Sequence, residues 1–375
     1  MKIKWILLAL VAAAALLASG CSDDNEVLQQ AIQQGFVTRE FLMLANRGTD
    51  NISVFQTNPT TGVPTAVAGS PFAAGDGANG VYIHPNQPFA LVPNLNADTI
   101  SVFTIDANAN LTQVAGSPFA TGDGPFGVAL HPNGGFVYVT NNNAGTVSAF
   151  SINAGNGALT AVAGSPFPVG TGPLLPLIDP TGNFLFVSNR DTDNVSAFGI
   201  NAGNGVLTPA VGSPFAAGDF PYGLETDNSG HLFVANQGSD NISGFTIGAG
   251  AVLTPIGGFP VAAGDGPAAM AFNPNNQVLY VGNEFAGTVG AFTVNLGTGA
   301  LTAVAGQPFA SGGAGTAFPV IDPRGVFLYA SNFGSDNVSA FTINLNNTLT
   351  AVAGQPFAAG VDPFGASTLQ ILTQP

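Results

Sequence analysis

The sequence predicts an all-β fold: a seven-bladed β-propeller whose blades are sheets of four antiparallel strands. Two observations predict it. A unit of 47 to 49 residues occurs seven times in a row, and the chain is rich in glycine and proline, with 50 and 27 residues, between short apolar runs. Repeats of this length, built from strands and tight turns, are typical of propeller blades.

Three markers recur once in each unit. An aromatic anchor occurs as Phe55, Phe103, Phe150, Phe198, Phe245, Phe292 and Phe341. An asparagine ends a short apolar run as Asn46, Asn94, Asn141, Asn189, Asn236, Asn283 and Asn332. A GSPF turn or its variant starts at Gly69, Gly116, Gly164, Gly212, Gly257, Gly306 and Gly354. The markers keep the same order in every unit, so each unit is one blade.

The unit at 173–217 shows the strand order. Four runs, named A to D in chain order, read PLLPLID, FLFVSN, NVSAFGIN and LTPAVGSPF, with turns rich in Asn, Asp, Gly and Pro between them. Such turn residues favour hairpins. Strands A to C are apolar on both faces, as expected for a sheet covered by a neighbour on either side.

The two ends of the repeat region predict how the ring closes. The first unit begins with REFLMLAN, a B strand with no A strand before it, and the last ends with FGASTLQIL, residues 364–372, an A strand with nothing after it. We expect this C-terminal strand to join the N-terminal three in one blade, because closure leaves no unprotected central edge.

The N-terminus predicts export and a lipid anchor. Residues 1–20 have a basic start, an apolar run and small residues, which indicates a signal peptide. The stretch ending LASGC resembles a bacterial lipobox, so we expect Cys21 to carry the lipid and residues 21–35 to form a polar tether before the propeller at 36–375. The Ser22 that follows resembles an outer-membrane sorting signal. The prediction is a lipoprotein held in the bacterial envelope by its acyl chains.

Charge excludes one class of partner. The formal net charge is −15, and from residue 21 onward there are four arginines, no lysine and all 21 acids. Nucleic acid binding needs clustered basic side chains, so we expect none.

The repeat resembles the YVTN-type propellers and the family of seven-bladed lactonases. The motifs that carry the resemblance are Pro125-Phe126-Gly127 followed by Pro132-Asn133-Gly134, and the run ending YVTN at 138–141. The resemblance implies the propeller fold over about residues 36–375. It also implies lactone hydrolysis as one possible activity, since the family is similar to 6-phosphogluconolactonase-like enzymes.

One blade resembles the lactonase signature most closely, at residues 264–289. Asn283 and Glu284 match it, but Ala268 and Ala269 stand where the resemblance implies Arg and His. Lactone opening needs a group that polarises the carbonyl and a base that activates water. Glu284 is therefore a candidate catalytic base, with basic partners absent from this motif. Arg47 and Arg190 lie in blades about three apart, and we expect them not to converge.

A second candidate site uses acids in the loops that connect strand D of one blade to strand A of the next. The equivalent positions are Asp76, Asp123, Asp219, Asp265 and Asp362. Oxygen ligands suit a cation or a cationic ligand, but Asp also recurs because it suits turns. We expect no resident metal and no cofactor: no His or Cys cluster has zinc spacing, and the two GxGxxG matches precede strands instead of helices.

The sequence leaves two functions open, of which we expect the first, a non-enzymatic one. The first is a non-enzymatic binding or scaffold module that uses its acidic loop face for an unknown protein or small-molecule ligand, as a monomer. The second is a lactonase-family hydrolase. The lipid anchor and the missing basic pair favour the first, and Glu284 together with the family resemblance favours the second.

Replacing the lipidated residue tests the anchor. We expect Cys21→Ala to leave the protein unacylated, in the soluble or the uncleaved fraction, because no other cysteine can carry the lipid. Membrane fractionation with mass spectrometry of the N-terminus measures this. A Cys21→Ala protein that is cleaved and still sediments with membranes would refute the lipoprotein assignment.

Overall fold

Seven sheets stand around a central channel, which confirms the predicted propeller. The structure is a computed structural model that describes residues 5–7 and 37–373. Strands within each blade pair antiparallel in the order A, B, C, D from the channel outwards. In the fourth blade, for example, Phe184 pairs with Gly199 and Asn189 with Asn194 across strands B and C.

Strands A and B are the inner pair of each blade, and strand B is buried along most of its length. From the first blade to the seventh, the A strands are Pro363–Thr373, Tyr82–Ile83, Pro125–Leu130, Pro173–Ile178, Pro221–Thr226, Pro267–Asn273 and Thr316–Ile321. The B strands are Val37–Asn46, Phe89–Asn94, Phe136–Asn141, Phe184–Asn189, His231–Asn236, Val278–Asn283 and Phe327–Asn332. Both faces of the B strands are covered by neighbouring blades, which is why they are apolar along their length.

Strand C carries the aromatic anchor, and strand D differs from the sequence prediction. The C strands are Asn51–Thr57, Thr99–Ile105, Thr146–Ile152, Asn194–Ile200, Asn241–Ile247, Thr288–Val294 and Asn337–Ile343. Strand D is not continuous, because a turn that contains proline divides it; the residue before the proline is serine in the first four blades, phenylalanine in the fifth and glutamine in the last two. Its first halves are Pro64–Ala66, Leu111–Gln113, Leu159–Ala161, Leu207–Pro209, Leu253–Pro255, Leu301–Ala303 and Leu349–Ala351. Its second halves are Phe72–Ala73, Phe119–Ala120, Phe167–Pro168, Phe215–Ala216, Val261–Ala262, Phe309–Ala310 and Phe357–Ala358.

Short 3-10 turns complete the described chain, at Arg190–Thr192, Ala249–Ala251 and Phe333–Ser335. Between the halves of strand D, the turn serine bonds to strand C. Ser117 Oγ, for instance, accepts the backbone N–H of Val102 at 2.9 Å. A side-chain oxygen thus replaces the ladder bond that the interrupted strand cannot make.

The ring closes as predicted. Val37–Asn46 pairs antiparallel with Pro363–Thr373, from Val37 opposite Thr373 to Asn46 opposite Pro363. The buried Glu40 of the first blade pairs with Arg324 of the seventh at 2.6 Å from Nε to Oε1. One further strand was not predicted. Trp5–Leu7, within the predicted signal peptide, pairs in parallel with Gln370–Leu372, beyond the length of the other A strands, and cleavage before Cys21 would remove it from the mature protein.

A buried asparagine ties the loops of each blade together. All seven asparagines that end the B strands have no exposed surface. In the second blade, Asn94 Nδ2 donates to Thr99 Oγ1 and Ser101 Oγ, both at 2.9 Å. Its Oδ1 accepts the N–H of Gly75 in the incoming loop at 3.2 Å. One amide therefore joins strand B, strand C and the loop between strands D and A.

The glycine in that loop is required by the asparagine. A Cβ on Gly75 would lie 2.4 Å from the Asn94 side chain, and one on Gly264 would lie 2.4 Å from Asn283. The backbone must approach this closely for its N–H to reach the amide oxygen. Any larger residue would displace the asparagine from its partners.

Hydroxyl groups on the B strands then hold the neighbouring blade. Ser188 Oγ donates to the carbonyl oxygen of Tyr222 at 2.6 Å, and Ser331 Oγ donates to that of Phe364 at 2.6 Å. Both acceptors lie at the start of the next A strand. These bonds fix the backbone at the entrance of the channel.

In the sixth blade the buried asparagine makes one hydrogen bond fewer than in the second blade, so restoring that bond tests how much it stabilises the fold. Asn283 Nδ2 reaches Thr288 Oγ1 at 3.1 Å, but Gly290 stands where Asn94 finds Ser101. A Cβ on Gly290 would meet its neighbours at 3.4 Å or more. We expect Gly290→Ser to raise the free energy of unfolding by about 1 kcal/mol, through the added hydrogen bond and the smaller backbone entropy loss.

Denaturant titration followed by circular dichroism measures that change. Gly290→Ala is the matched control, since it changes the backbone entropy and adds no hydrogen bond. Ser101→Ala should lower the free energy of unfolding by a similar amount, because it removes the corresponding hydrogen bond in the second blade. A Gly290→Ser protein no more stable than Gly290→Ala would contradict the role given to the asparagine bonds.

Candidate active site

One half-buried side chain from each blade surrounds the entrance of the channel. It is the residue directly after the buried asparagine, and we name the set the mouth ring: Arg47, Leu95, Asn142, Arg190, Gln237, Glu284 and Phe333. The asparagine before it is fully buried and the turn after it is largely exposed. Each mouth-ring residue is thereby held at the boundary between the core and the solvent.

Four aromatic rings fill the channel beneath the mouth ring. They come from the A strands and form a closed cycle: Phe126 to Tyr222 at 6.1 Å between ring centroids, Tyr222 to Phe318 at 6.2 Å, Phe318 to Phe364 at 4.7 Å, and Phe364 to Phe126 at 5.7 Å. We name this set the aromatic floor. Leu95 and Phe333 of the mouth ring pack against it. The site is therefore a polar rim above an apolar base.

Glu284 is a partly desolvated carboxylate within the rim. Its Oε2 accepts a hydrogen bond from Gln237 Nε2 at 2.8 Å, which orients the carboxylate from the neighbouring blade. Burial raises the pKa of Glu284, and the Gln237 hydrogen bond and the charge of Arg47 act in the opposite direction. A carboxylate with a raised pKa is a stronger base once it is ionised.

Arg47 is held rigidly beside the floor. Its Nε donates to Asp362 Oδ2 at 2.8 Å and its second terminal nitrogen donates to Oδ1 at 3.3 Å. The guanidinium carbon lies 4.2 Å from the centroid of the Phe364 ring, and Asn79 Oδ1 accepts a further N–H at 3.5 Å. Of the five N–H donors of an arginine, two remain for a ligand in the mouth.

Tyr222 lies among the charges of the rim. Burial raises the pKa of Tyr222 well above its ordinary value; Glu284 raises it further, and Arg47 and Arg190 lower it. The phenol is therefore neutral and can donate a hydrogen bond. Arg190 itself bonds to the adjacent Asp191, at 2.7 Å from Nε to Oδ1.

Two sequence predictions concern basic partners: that Glu284 has none, and that Arg47 and Arg190 do not converge. Among the described residues, Glu284 forms no ion pair. The charge of Arg47 acts to lower the pKa of Glu284, and the charges of both arginines act to lower the pKa of Tyr222. Both statements about basic partners stay predictions, since no direct contact joins these groups. Their mouth-ring positions belong to the first, fourth and sixth blades, which are distant along the chain but share one channel entrance.

Ala268 and Ala269 take part in packing. Both are buried in the cluster of the aromatic floor. A Cβ on Gly223 would lie 2.3 Å from the carbonyl oxygen of Ala268, so the two A strands touch at this point. No basic side chain reaches the mouth from these two positions, and the positive charge comes from the mouth ring instead.

The five loop aspartates lie outside the mouth ring, one in each of five loops. Asp76 and Asp123 accept hydrogen bonds from Asn96 and Asn143, each at 2.9 Å. Asp362 pairs with Arg47, and the backbone N–H of Asp219 donates to Ser239 Oγ at 2.7 Å. Within residues 5–7 and 37–373, no three acids, histidines or cysteines are close enough to hold a metal ion. The proposal of a cation site there stays a prediction.

The three histidines lie towards the opposite end of the propeller from the mouth ring, where they make hydrogen-bonding contacts. His131 Nε2 donates to the carbonyl oxygen of Gly182 at 2.8 Å, and His84 Nε2 contacts that of Gly134 at 2.9 Å. Both bonds join the turn of one blade to the turn of the next. His231 Nδ1 lies 2.5 Å from Asp227 Oδ2.

Sequence reasoning missed the mouth ring because it followed what the repeats share. The site lies at the position where they differ: after an asparagine that is the same in all seven units come Arg, Leu, Asn, Arg, Gln, Glu and Phe. A position that varies directly beside one that does not vary is a signal that could have been read from the sequence.

The chain belongs to the family of seven-bladed β-propeller lactonases. The family model "Lactonase, 7-bladed beta-propeller" matches residues 75–251 and 224–361, which is more than half of the chain. No curated protein matches the sequence.

Solved structures share the fold at low identity. A candidate 6-phosphogluconolactonase from Bacteroides uniformis is 19% identical, with a TM-score of 0.76 over 88% of this chain and 99% of that chain. A second, from Bacteroides fragilis, is 20% identical, with a TM-score of 0.76 over 88% and 98%. The periplasmic gluconolactonase of Pseudomonas aeruginosa is 18% identical, with a TM-score of 0.75 over 90% and 100%.

The predicted lipidation site, Cys21, lies outside the described residues, as do most of the signal peptide and the tether. In the described part, no helix has the length and hydropathy needed to cross a lipid bilayer. The anchor therefore stays a prediction from the sequence.

Calcium titration tests the loop aspartates. We expect no tight Ca²⁺ site, because tight sites gather six to eight oxygen ligands around one ion and these acids lie in separate blades. Isothermal titration calorimetry measures this. A sub-micromolar affinity that is lost in Asp123→Asn or Asp265→Asn would contradict the expectation.

Proposed function

We propose that this protein is a lactone hydrolase whose active site is the mouth ring above the aromatic floor. The observation that carries the proposal is that one channel entrance holds a partly desolvated carboxylate, Glu284, which Gln237 orients, and a guanidinium, Arg47, which Asp362 and Phe364 hold in place. Family membership supports the reaction class, and the names of the structural neighbours agree with it. Acting on a lactone does not require a cofactor.

Glu284 is the base in the proposed reaction. It takes a proton from a water molecule as the water oxygen bonds to the lactone carbonyl carbon. When the tetrahedral intermediate collapses, the ring C–O bond breaks and Glu284 returns the proton to the leaving oxygen. The product is a hydroxy acid. Gln237 keeps the carboxylate pointed into the mouth through both steps.

Arg47 and Tyr222 stabilise the negative charge that develops on the carbonyl oxygen. Arg47 is pre-oriented by Asp362 and Phe364, so little reorganisation is needed when the charge forms. Tyr222 supplies a neutral donor. Arg190, across the mouth, is free to bind a polar or anionic substituent of the substrate, because its own pairing with Asp191 is half exposed and weak.

A second function is favoured by one observation. Ala268 and Ala269 replace the basic pair that the family resemblance implies, so the mouth could bind a lactone or a sugar acid without hydrolysing it. This is the binding module predicted from the sequence. In either case we propose that the propeller is held in the envelope through Cys21, with the mouth open to solvent.

Hydrolysis of a lactone panel by the full chain tests the proposal. Glucono-δ-lactone and a homoserine lactone should open faster than the uncatalysed rate in a pH-stat assay. We expect kcat/KM to fall about 100-fold in Glu284→Gln, because general base catalysis contributes at least that factor. Arg47→Met should lower kcat/KM by about the same factor, because removing one hydrogen-bond donor to an oxyanion has an effect of about that size.

The pH profile checks the same assignment. Because Glu284 acts ionised and burial raises its pKa, kcat/KM should rise with pH through that raised pKa and then level off. In Glu284→Gln the rising limb should disappear.

Asp98→Asn is the matched control for these variants. It removes one negative charge from the same face, outside the mouth ring, and an amide oxygen can still accept the N–H of Gly124. It should hydrolyse lactones at the wild-type rate. Turnover that is unchanged in Glu284→Gln would place the chemistry elsewhere. Tight gluconate binding by calorimetry without any turnover would favour the binding module.

A further inference from the structure

The opposite end of the channel holds a cavity that the proposed reaction does not use. It has a volume of about 470 Å³ and opens at the turns between strands A and B. Four blades line it: the fifth with Glu225, the sixth with Met270 and Phe272, the seventh with Ile321 and Asp322, and the first with Ser367 and Thr368. We name it the lower pocket. Its size suits a small organic ligand.

Most polar groups of the lower pocket already have partners. Asp322 Oδ1 accepts the N–H groups of Val326 and Phe327, and Oδ2 lies 3.3 Å from Arg324 Nε. Ser367 Oγ and Thr368 Oγ1 donate to backbone carbonyls of the second and seventh blades. The two hydroxyl groups and Asp322 Oδ1 are thus committed to the backbone, whereas Asp322 Oδ2 makes no hydrogen bond and faces the Arg324 guanidinium.

Glu225 is different, because its charge has no counterpart. It accepts the backbone N–H of Thr226 at 2.9 Å and that of Phe272. Among the described residues, Glu225 takes part in none of the ion pairs. The equivalent positions in the other blades are Tyr82, Ala129, Leu177, Ala271, Val320 and Ser367. Glu225 is therefore the one charged residue at this position of the seven A strands.

The remaining wall of the pocket is apolar. Met270, Phe272 and Ile321 face the cavity, together with Pro274 and Pro319. A ligand that matched these walls would have an apolar body and a single group complementary to a carboxylate. A carboxylate away from water is stabilised by a cation that also donates hydrogen bonds, and the excess of acids in the chain favours a cation further.

We propose that the lower pocket binds a small organic cation, an amine whose apolar body packs against Met270, Phe272 and Ile321 and whose ammonium group pairs with Glu225. This function is separate from the hydrolase reaction. The aromatic floor lies between the two ends of the channel, so the two sites do not share residues.

Binding should depend on pH. Burial raises the pKa of Glu225 to about 7, against the effect of the two backbone N–H groups. The other titratable groups near the pocket are Asp322 and Arg324 of the seventh blade and Glu40 of the first, and Arg324 pairs with both of these acids. The amine pairs with ionised Glu225, so its affinity should be highest above pH 7 and should fall as Glu225 becomes protonated.

Benzylamine binding to the full chain tests the proposal, with benzyl alcohol as the uncharged probe of the same shape. By titration calorimetry or ligand-observed NMR, benzylamine should bind at pH 8 and at least about tenfold more weakly at pH 5.5, from the change in ionised fraction. Benzyl alcohol should bind weakly and equally at both values. No benzylamine binding at millimolar concentration and pH 8 would overturn the proposal.

Variants locate the binding. Glu225→Gln should lose at least about tenfold in benzylamine affinity at pH 8, whereas Glu284→Gln, the same acid-to-amide change at the other mouth, should bind as the wild type does. If circular dichroism shows that Glu225→Gln does not fold, Ala271→Leu decides, because it fills the pocket without changing charge. Binding retained in folded Glu225→Gln, or retained in Ala271→Leu, would overturn the assignment.

Discussion

The buried asparagine at the end of each B strand is the contact on which the rest of this propeller depends. Its amide nitrogen donates two hydrogen bonds to strand C, and its amide oxygen accepts one from the loop that follows strand D. The amide group is buried from water. Leaving such a group unpaired costs about 1–3 kcal/mol. The complete contact occurs in the first five blades; the sixth lacks one bond to strand C, and in the seventh the oxygen accepts from Thr316 Oγ1 instead of the loop. The loop glycine, the serine on strand C and the course of the incoming A strand all follow from the position of this amide.

The same contact positions the proposed active site. Since the asparagine is fixed, the residue after it is always delivered to the channel entrance at the same depth. That residue makes no contribution to the asparagine bonds, so it is free to differ between blades. Glu284, Gln237, Arg47 and Arg190 have thus been brought to one opening from four blades. The repeated asparagine contacts fix the position of each mouth-ring residue, and the differences among the mouth-ring side chains give the site its chemical groups. The lower pocket follows the same logic, with Glu225 as the single departure in a row of uncharged residues.

Much of the fold could be predicted from the sequence, because each blade carries its own markers. The phenylalanine anchors, the terminal asparagines and the Asn- and Asp-rich turns set the number of blades and the strand order. The runs 39–46 and 364–372 predicted the closure, since each lacks its partner in sequence. Two details were not predictable in this way. Strand D can be divided because the hydroxyl oxygen of Ser117, or of its equivalent, accepts a strand C backbone N–H that a continuous strand D would bind. The pairing of Trp5–Leu7 depends on the extra length of the last strand.

The site was harder to predict, for a physical reason. Glu284 could be recognised locally, but Gln237, Arg47 and Arg190 come from blades one or two positions away around the ring, and their distance along the chain conceals that they share one entrance. The most direct test of this account is a crystal structure of Glu284→Gln soaked with an aldonolactone. The account predicts electron density for the ligand within the mouth ring, with its carbonyl oxygen in hydrogen-bonding distance of Arg47. Ligand density confined to another surface, with an empty mouth ring at saturating concentration, would contradict it.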